Sequence, residues 1–146
     1  MTDPNVRLAD ATDALQVASL LGQLGYAAPP EAIAERLAAI AASPRHVVFV
    51  SEGVDRHLSG VIAVEQRLML ESGERAEIVA LVVDTATRRS GAGRRLVEAA
   101  RQWARLQGNV VLIVRSNIAR AESHPFYEGI GFARTKSQHV YQLALA

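Results

Sequence analysis

The chain has 146 residues, 49% apolar and 21% charged, which is the length of one domain, spanning 1–146, and the balance of an ordinary globular protein. Folding at this size buries roughly 68–70% of the surface an unfolded chain exposes, so a core and an enclosed site need no disulfide or metal staple. Zero cysteines exclude a disulfide framework, a thiolate nucleophile, Cys-ligated zinc and a Cys-bound iron–sulfur cluster. The four histidines, His46, His57, His124 and His139, never fall at HxxxH or HExxH spacing, so no metal is expected. Apolar runs such as Val110 to Val114 are far short of the ~20 residues a membrane span needs, and the first residues lack the basic and apolar regions of a signal peptide. No membrane association and a cytoplasmic location are the expectation.

In chain order, a short strand at Val6 to Leu8 is followed by Asp10, a helix cap, and by Val17, Leu20, Leu21 and Leu24 at helical spacing until Gly25. Pro29-Pro30-Glu31 starts a second helix with Ile33, Leu37 and Ile40 on its buried stripe, and Ser43-Pro44 stops it. His46 to Ser51 and Leu58 to Glu65 are β-rich runs with the polar Glu52-Gly53-Val54-Asp55-Arg56 between them, the pattern of an antiparallel hairpin. After a turn at Glu71-Ser72-Gly73-Glu74, Glu77 to Val83 and Asn109 to Arg115 are nearly continuous apolar strands of the kind buried on both faces. The helix between them, about Gly91 to Gln107, carries Leu96, Val97, Ala100, Trp103 and Ala104 on one side and makes a parallel βαβ unit. A short helix from Ser123 to Glu128 and closing strands near Phe132 to Lys136 and His139 to Leu143 complete an α/β (α+β) chain. The mixed sheet has about six to seven strands flanked by about four helices.

Net charge is +1, yet six arginines lie between Arg88 and Arg105 against the single acid Glu98. From charge alone this is a solvated helix face, an anion site or a nucleic-acid surface. Aromatic residues are only 5% and the charge gathers around one glycine loop, which disfavours nucleic acid. That loop, Arg88-Arg89-Ser90-Gly91-Ala92-Gly93-Arg94-Arg95, joins the buried strand to the crossover helix. Glycines there allow close backbone approach, and the first helical amides lack acceptors, so a phosphate is the natural guest. A Walker loop is excluded because Lys136 is the only lysine, and a GxGxxG fingerprint because Leu96 stands at its third glycine.

Arg88-x-x-Gly91-x-Gly93 matches the [Arg/Gln]-x-x-Gly-x-[Gly/Ala] signature of the GNAT superfamily of acyl-CoA-dependent N-acetyltransferases, which the chain resembles along almost its whole length. The order of elements agrees, as do Asn117, Phe126-Tyr127-Glu128 and Gly131-Phe132 beyond the crossover. The resemblance implies a single domain whose parallel central strands splay apart, with acetyl-CoA as cosubstrate. The amides of Arg89, Ser90, Gly91, Ala92, Gly93 and Arg94 would cradle its pyrophosphate with Arg88 adding charge. The edge of Leu81, Val82 and Val83 would pair with the peptide-like pantetheine arm, and the amide of Leu81 or Val82 would polarise the thioester carbonyl. Asn117 resembles a residue that hydrogen-bonds the cofactor.

An alkylamine of pKa ~10.4 must lose a proton before it attacks, and similar enzymes often place a glutamate where Glu77 stands; a solvated strand-start acid is the other reading. Tyr127 occupies the family's acid position toward the departing thiolate, and a neutral phenol suits that task. His124 at the start of the last helix reads more readily as structural, and Arg120 as either a salt-bridge or a cofactor contact. With no cysteine to carry an acetyl group, direct transfer in a ternary complex is implied. The acceptor is a small-molecule or peptide amine; Glu65, Glu71, Glu74 and Glu77 against Arg67 and Arg75 lean mildly toward a cation such as an aminoglycoside or polyamine, although an ordinary charged hairpin explains them too. A non-catalytic acyl-CoA-binding module is the alternative, which the presence of Tyr127 disfavours. A homodimer is left open.

Overall fold

The computed structural model describes residues 5–87, 90–116, 120 and 123–146, and its contacts group the chain into two units, 1–115 and 116–146. In the first unit, strand β1 (Val6–Leu8) runs into a single 3-10 turn at Ala11–Asp13 and then helix α1 (Ala14–Gln23). Asp10 is the expected cap, but it caps the 3-10 turn: its Oδ1 accepts the Thr12 amide at 2.8 Å while Asp13 Oδ2 accepts the Asp10 amide at 2.9 Å. Arg7 reaches across to hold Asp13 (2.8 and 2.9 Å) and Glu52 (2.6 Å). These guanidinium hydrogen bonds keep the buried Asp13 carboxyl below its ordinary range. Gly25, at φ +88°, ends the helical path where a side chain would be strained. Helix α2 (Pro30–Ala41) begins with proline in its first turn, where no amide is needed.

The sheet order is β1-β2-β3-β4-β5, with β2 at His46–Glu52, β3 at Leu58–Met69, β4 at Gly73–Val83 and β5 at Leu112–Val114. The first four pair antiparallel in sequence order, as the hairpin patterns require. Strand β5 pairs parallel to β4 after the crossover helix α3 (Ala92–Leu106), which confirms the βαβ unit. Val17, Leu20, Ile33 and Leu37 of α1 and α2 bury against Val48, Val50, Val61 and Val82. Leu96, Val97, Ala100 and Ala104 are the buried stripe of α3, and each fully buried Leu or Val is worth roughly 1.5–3 kcal/mol. Gly60 sets how closely α3 approaches the sheet: a Cβ there would lie 2.8 Å from Leu96 Cδ1 and 2.9 Å from the Val82 carbonyl.

In the second unit, helix α4 (Ser123–Gly129) places Tyr127 edge-on to Phe126, with ring centroids 5.2 Å apart, and to Phe132 at 5.7 Å. The chain turns after α4 through Gly131 at φ +107°, and the Phe132 amide returns to the Tyr127 carbonyl at 3.0 Å.

Two expectations need correction. The sheet has five strands among the described residues instead of six or seven, because Phe132 to Lys136 and His139 to Leu143 carry no strand. A β-pattern states that a segment fits a ladder, and among the described residues neither segment is paired. The run Asn109 to Arg115 likewise narrows to Leu112–Val114, the stretch that extends its β4 pairing.

Candidate active site

The end of β4 is fixed by a polar junction that the sequence did not announce. Asp84 is buried and accepts hydrogen bonds from the Ala86 amide (3.1 Å), His57 Nε2 (3.1 Å) and Gln23 Nε2 (3.3 Å). The Ala86 amide foremost, then His57 and Gln23, holds its carboxyl below the usual carboxylate range. Gln23 Oε1 accepts the Thr85 amide at 3.0 Å, so the last turn of α1 is tied to the segment leading into the glycine loop. The one trace in the sequence is an aspartate directly after an apolar strand.

Arg88 and Arg89 lie outside the described residues. From Ser90 onward the loop meets the helix as the glycine spacing predicts. Gly91 takes the left-handed conformation (φ +86°, ψ 3°) as N-cap of α3, and Ala92 and Gly93 are buried. The Arg95 amide makes the first bond into the helix, to the Gly91 carbonyl at 3.0 Å. The amides of Ala92, Gly93 and Arg94 therefore belong to the first turn, where a helix supplies no acceptor and its dipole favours an anion. Ser90 departs from its assigned role, since its amide donates to the Thr87 carbonyl at 3.2 Å. Arg94 is exposed beside this turn, and the Arg95 guanidinium donates to the Ser90 carbonyl at 3.0 Å. Arg101 pairs with Glu98 at 3.5 Å and sits, with Arg105, roughly two and a half to three and a half turns along α3, so the basic cluster is not one patch.

Strand β4 opens beside this loop. Its parallel pairing with β5 covers only Ala76, Glu77 and Ile78, while its pairing with β3 continues to Val83. A bulge falls at Val79, which is skipped in the register between Ile78 and Ala80 and is half exposed. Beyond it the edge of β4 away from β3 has no strand partner among the described residues. The Asp84 amide points to β3, donating to the Ser59 carbonyl at 2.8 Å. Alternation along the strand then turns Val82 into the β3 ladder and sends the amides of Leu81 and Val83 to the open edge. A left-handed glycine, first-turn amides and two edge amides thus flank the junction of β4 and α3.

Glu77 is buried, not a solvated strand-start acid. Three guanidiniums surround its carboxylate: Arg67 Nη1 at 3.3 Å, Arg115 Nε at 3.2 Å and Arg75 Nη2 at 3.8 Å. Glu74 pairs with Arg45 at 3.0 Å, and Glu65 with Arg67 at 3.1 Å and with His46 at 3.4 Å. The acidic lean read from the hairpin alone is thus cancelled by Arg45 and Arg115, which come from distant parts of the chain. Sequence counting missed both.

In the second unit, burial raises the Tyr127 phenol above its ordinary pKa, with Arg120 opposing weakly, so the hydroxyl stays protonated at neutral pH. Asn117 lies outside the described residues. His124 is half-buried in the first turn of α4.

Residues 16–132 match the acetyltransferase (GNAT) family. Among characterised proteins, the chain is 29% identical over 120 residues to an aminoglycoside N(6')-acetyltransferase type 1 of Serratia marcescens, covering 80% of this chain and 82% of that one. The fold is similar to that of AAC(6')-Iy in complex with the bisubstrate analogue CoA-S-monomethyl-acetylneamine (TM-score 0.84, 17% identity, 96% of this chain and 97% of that one). It is equally similar to a glucosamine-6-phosphate N-acetyltransferase of Arabidopsis thaliana (TM-score 0.83, 22% identity, 95% and 97%).

Proposed function

The chain belongs to the acetyltransferase (GNAT) family, and on that premise we propose that it moves the acetyl group of acetyl-CoA to a primary amine of an aminoglycoside or related amino sugar by direct attack in a ternary complex. The observation that carries the cosubstrate is the row of amides from Leu81 and Val83 on the open β4 edge to the first turn of α3. The similarity to the Serratia enzyme carries the acceptor. The fold alone does not choose it, because two neighbours acting on different amino sugars superimpose equally well.

Acetyl-CoA supplies a thioester whose carbonyl carbon the amine attacks. Ala92, Gly93 and Arg94 hold the diphosphate through their amides, with Arg88 and Arg89 adding charge, and Leu81 and Val83 pair with the arm. The Leu81 amide, nearest the bulge at Val79, stabilises the oxyanion as it forms. Glu77 accepts the amine proton directly or through water once Arg67 or Arg115 yields a lone pair, because each carboxylate oxygen already accepts two guanidinium bonds. Tyr127, from its place in the Phe126-Tyr127 pair, gives its proton to the departing sulfur. With no cysteine in the chain, no acetyl-thiol enzyme intermediate forms.

The test is thiol release from acetyl-CoA against aminoglycosides, glucosamine 6-phosphate, polyamines and peptides. Turnover with an aminoglycoside at least tenfold faster than with the other amines supports the reading. Turnover confined to peptides or polyamines overturns the acceptor, and none with any amine while acetyl-CoA binds points to the binding-module alternative.

A further inference from the structure

Side chains from two distant parts of the chain meet one buried carboxylate at the foot of the glycine loop. Asp84 Oδ1 accepts the Ala86 amide and Gln23 Nε2, and Oδ2 is bonded to His57 Nε2. Gln23 stands on α1, which the buried Val17 and Leu20 anchor to the core. His57 follows the turn Asp55-Arg56, where φ values of 54° and 61° hold two non-glycine residues in the left-handed region. That strained turn is closed by the His57 amide on the Val54 carbonyl (3.0 Å) and the Gly53 amide on the His57 carbonyl (2.6 Å), so the imidazole is brought to Asp84 by a fixed backbone.

From this junction an unbroken run of hydrogen bonds leads to α3. The Thr87 amide and hydroxyl donate to the Asp84 carbonyl (3.0 and 3.2 Å), the Ser90 amide to the Thr87 carbonyl (3.2 Å), and the Arg95 guanidinium to the Ser90 carbonyl (3.0 Å). The 3-10 turn Thr85–Thr87 buries no residue. Its course is therefore set by these bonds and by those of Gln23 and Asp84 to the Thr85 and Ala86 amides, not by apolar packing.

We propose that Gln23 and Asp84 are positioning residues for the cosubstrate: they fix where the chain leaves β4 and hence where the first-turn amides of α3 stand, so that acetyl-CoA affinity depends on a side chain 61 positions away in the sequence. Neither acts on the diphosphate directly; both act through the Thr85 and Ala86 amides. The dependence follows from geometry, since a hydrogen bond to phosphate weakens steeply once its donor is displaced or tilted. The inference rests on the reading that those first-turn amides hold the diphosphate.

Calorimetric titration of the full chain with acetyl-CoA, with no acceptor present, is the test. Gln23→Leu removes both bonds at an exposed position and should weaken acetyl-CoA roughly fivefold, the worth of about one hydrogen bond, with the unfolding midpoint nearly unchanged. Asp84→Ala removes every bond to the carboxylate and should weaken it roughly tenfold or more, whereas Asp84→Asn, which keeps an oxygen for the Ala86 amide and Gln23, should recover most of the affinity. In turnover the loss belongs in KM for acetyl-CoA, with kcat and the acceptor KM nearly unchanged. A merely structural junction would lower the unfolding midpoint and leave the affinity of the folded protein intact. Wild-type affinity in Gln23→Leu overturns the proposal whether or not Asp84→Ala folds, as does a loss confined to the acceptor KM. If Gly91→Val also binds as tightly as wild type, the placement of the cosubstrate has failed; if Gly91→Val is weakened and Gln23→Leu is not, this inference alone has failed.

Discussion

The residues from β1 to α3 and the residues from β5 onward solve the same problem differently. In the first region nearly every demanding group has a partner within the chain: Asp13 has Arg7, Asp84 has Gln23 and His57, and the apolar faces of α1, α2 and α3 are buried. In the second, among the described residues β5 has a strand partner on one edge only, α4 buries no residue completely, and large apolar side chains of the last residues are exposed. Apolar content is not what separates them, since five of the seven residues from His139 to Leu145 and four of the six from His46 to Ser51 are apolar. A strand is stable when something completes its ladder, and only the first region supplies that something locally.

Substitutions on either side test this contrast. The largest effect is expected in the second region, from Tyr127→Phe. The ring and its contacts with Phe126 and Phe132 remain, so acetyl-CoA binding and stability should change little while the single-turnover acetyl-transfer rate falls roughly 10²–10⁴-fold. A rate within a few-fold of wild type would make Tyr127 a packing residue. Since burial holds the phenol above its ordinary pKa, its loss of acid function belongs above pH ~10 and none is expected near neutrality.

Glu77→Gln should cost roughly 10²-fold near neutral pH, with partial recovery in alkali where solution supplies the free amine. A loss equal at every pH, accompanied by a lower unfolding midpoint, would instead make the carboxylate an anchor for Arg67, Arg75 and Arg115. In the packed region Gly60→Ala should lower stability in urea by about 1–3 kcal/mol, because the new methyl overlaps Leu96 and the Val82 carbonyl. An unchanged midpoint would mean that α3 can back away from the sheet.

Gly91→Val forces a β-branched residue into the left-handed region, a strain of about 1–2 kcal/mol, and should weaken acetyl-CoA roughly tenfold in calorimetry with the fold intact. Undiminished affinity would move the cofactor elsewhere. The smallest effect concerns Asp13, whose carboxyl is lowered in the folded state. The stability it contributes is complete above its unfolded pKa of ~3.9 and is lost as pH falls through the lower folded value. Arg7→Met should thus cost about 1–2 kcal/mol at pH 7 and progressively less in acid, and curves that stay parallel would deny the pair this role.

What could be read beforehand follows the same division. Helical spacing at Val17, Leu20, Ile33, Leu37 and Leu96 and the hairpin pattern at His46 to Glu65 describe local preferences that neighbours in the chain fulfil, and these elements formed within a few residues of expectation. The strand-to-helix junction at Gly91 was legible because a tight turn restricts residue choice. Charge was not, because an ion pair depends on who arrives: Arg45 and Arg115 neutralise a hairpin that looked acidic by itself. The closing strands were misjudged for a related reason, as pattern reports readiness to pair and says nothing of the partner.

The Gln23 side chain, bonded to both Asp84 and the Thr85 amide, has a consequence for how this scaffold can diversify. It pins the last turn of α1 to the segment that enters the glycine loop, so the length of that helix is bound to the geometry of the loop. The stretch from Leu24 to Pro29 lies beyond the pin, but Leu24 and Ala28 pack against the core, so change there is bounded by burial instead of by the loop. A longer or shorter α1 is felt first at the Asp84 junction.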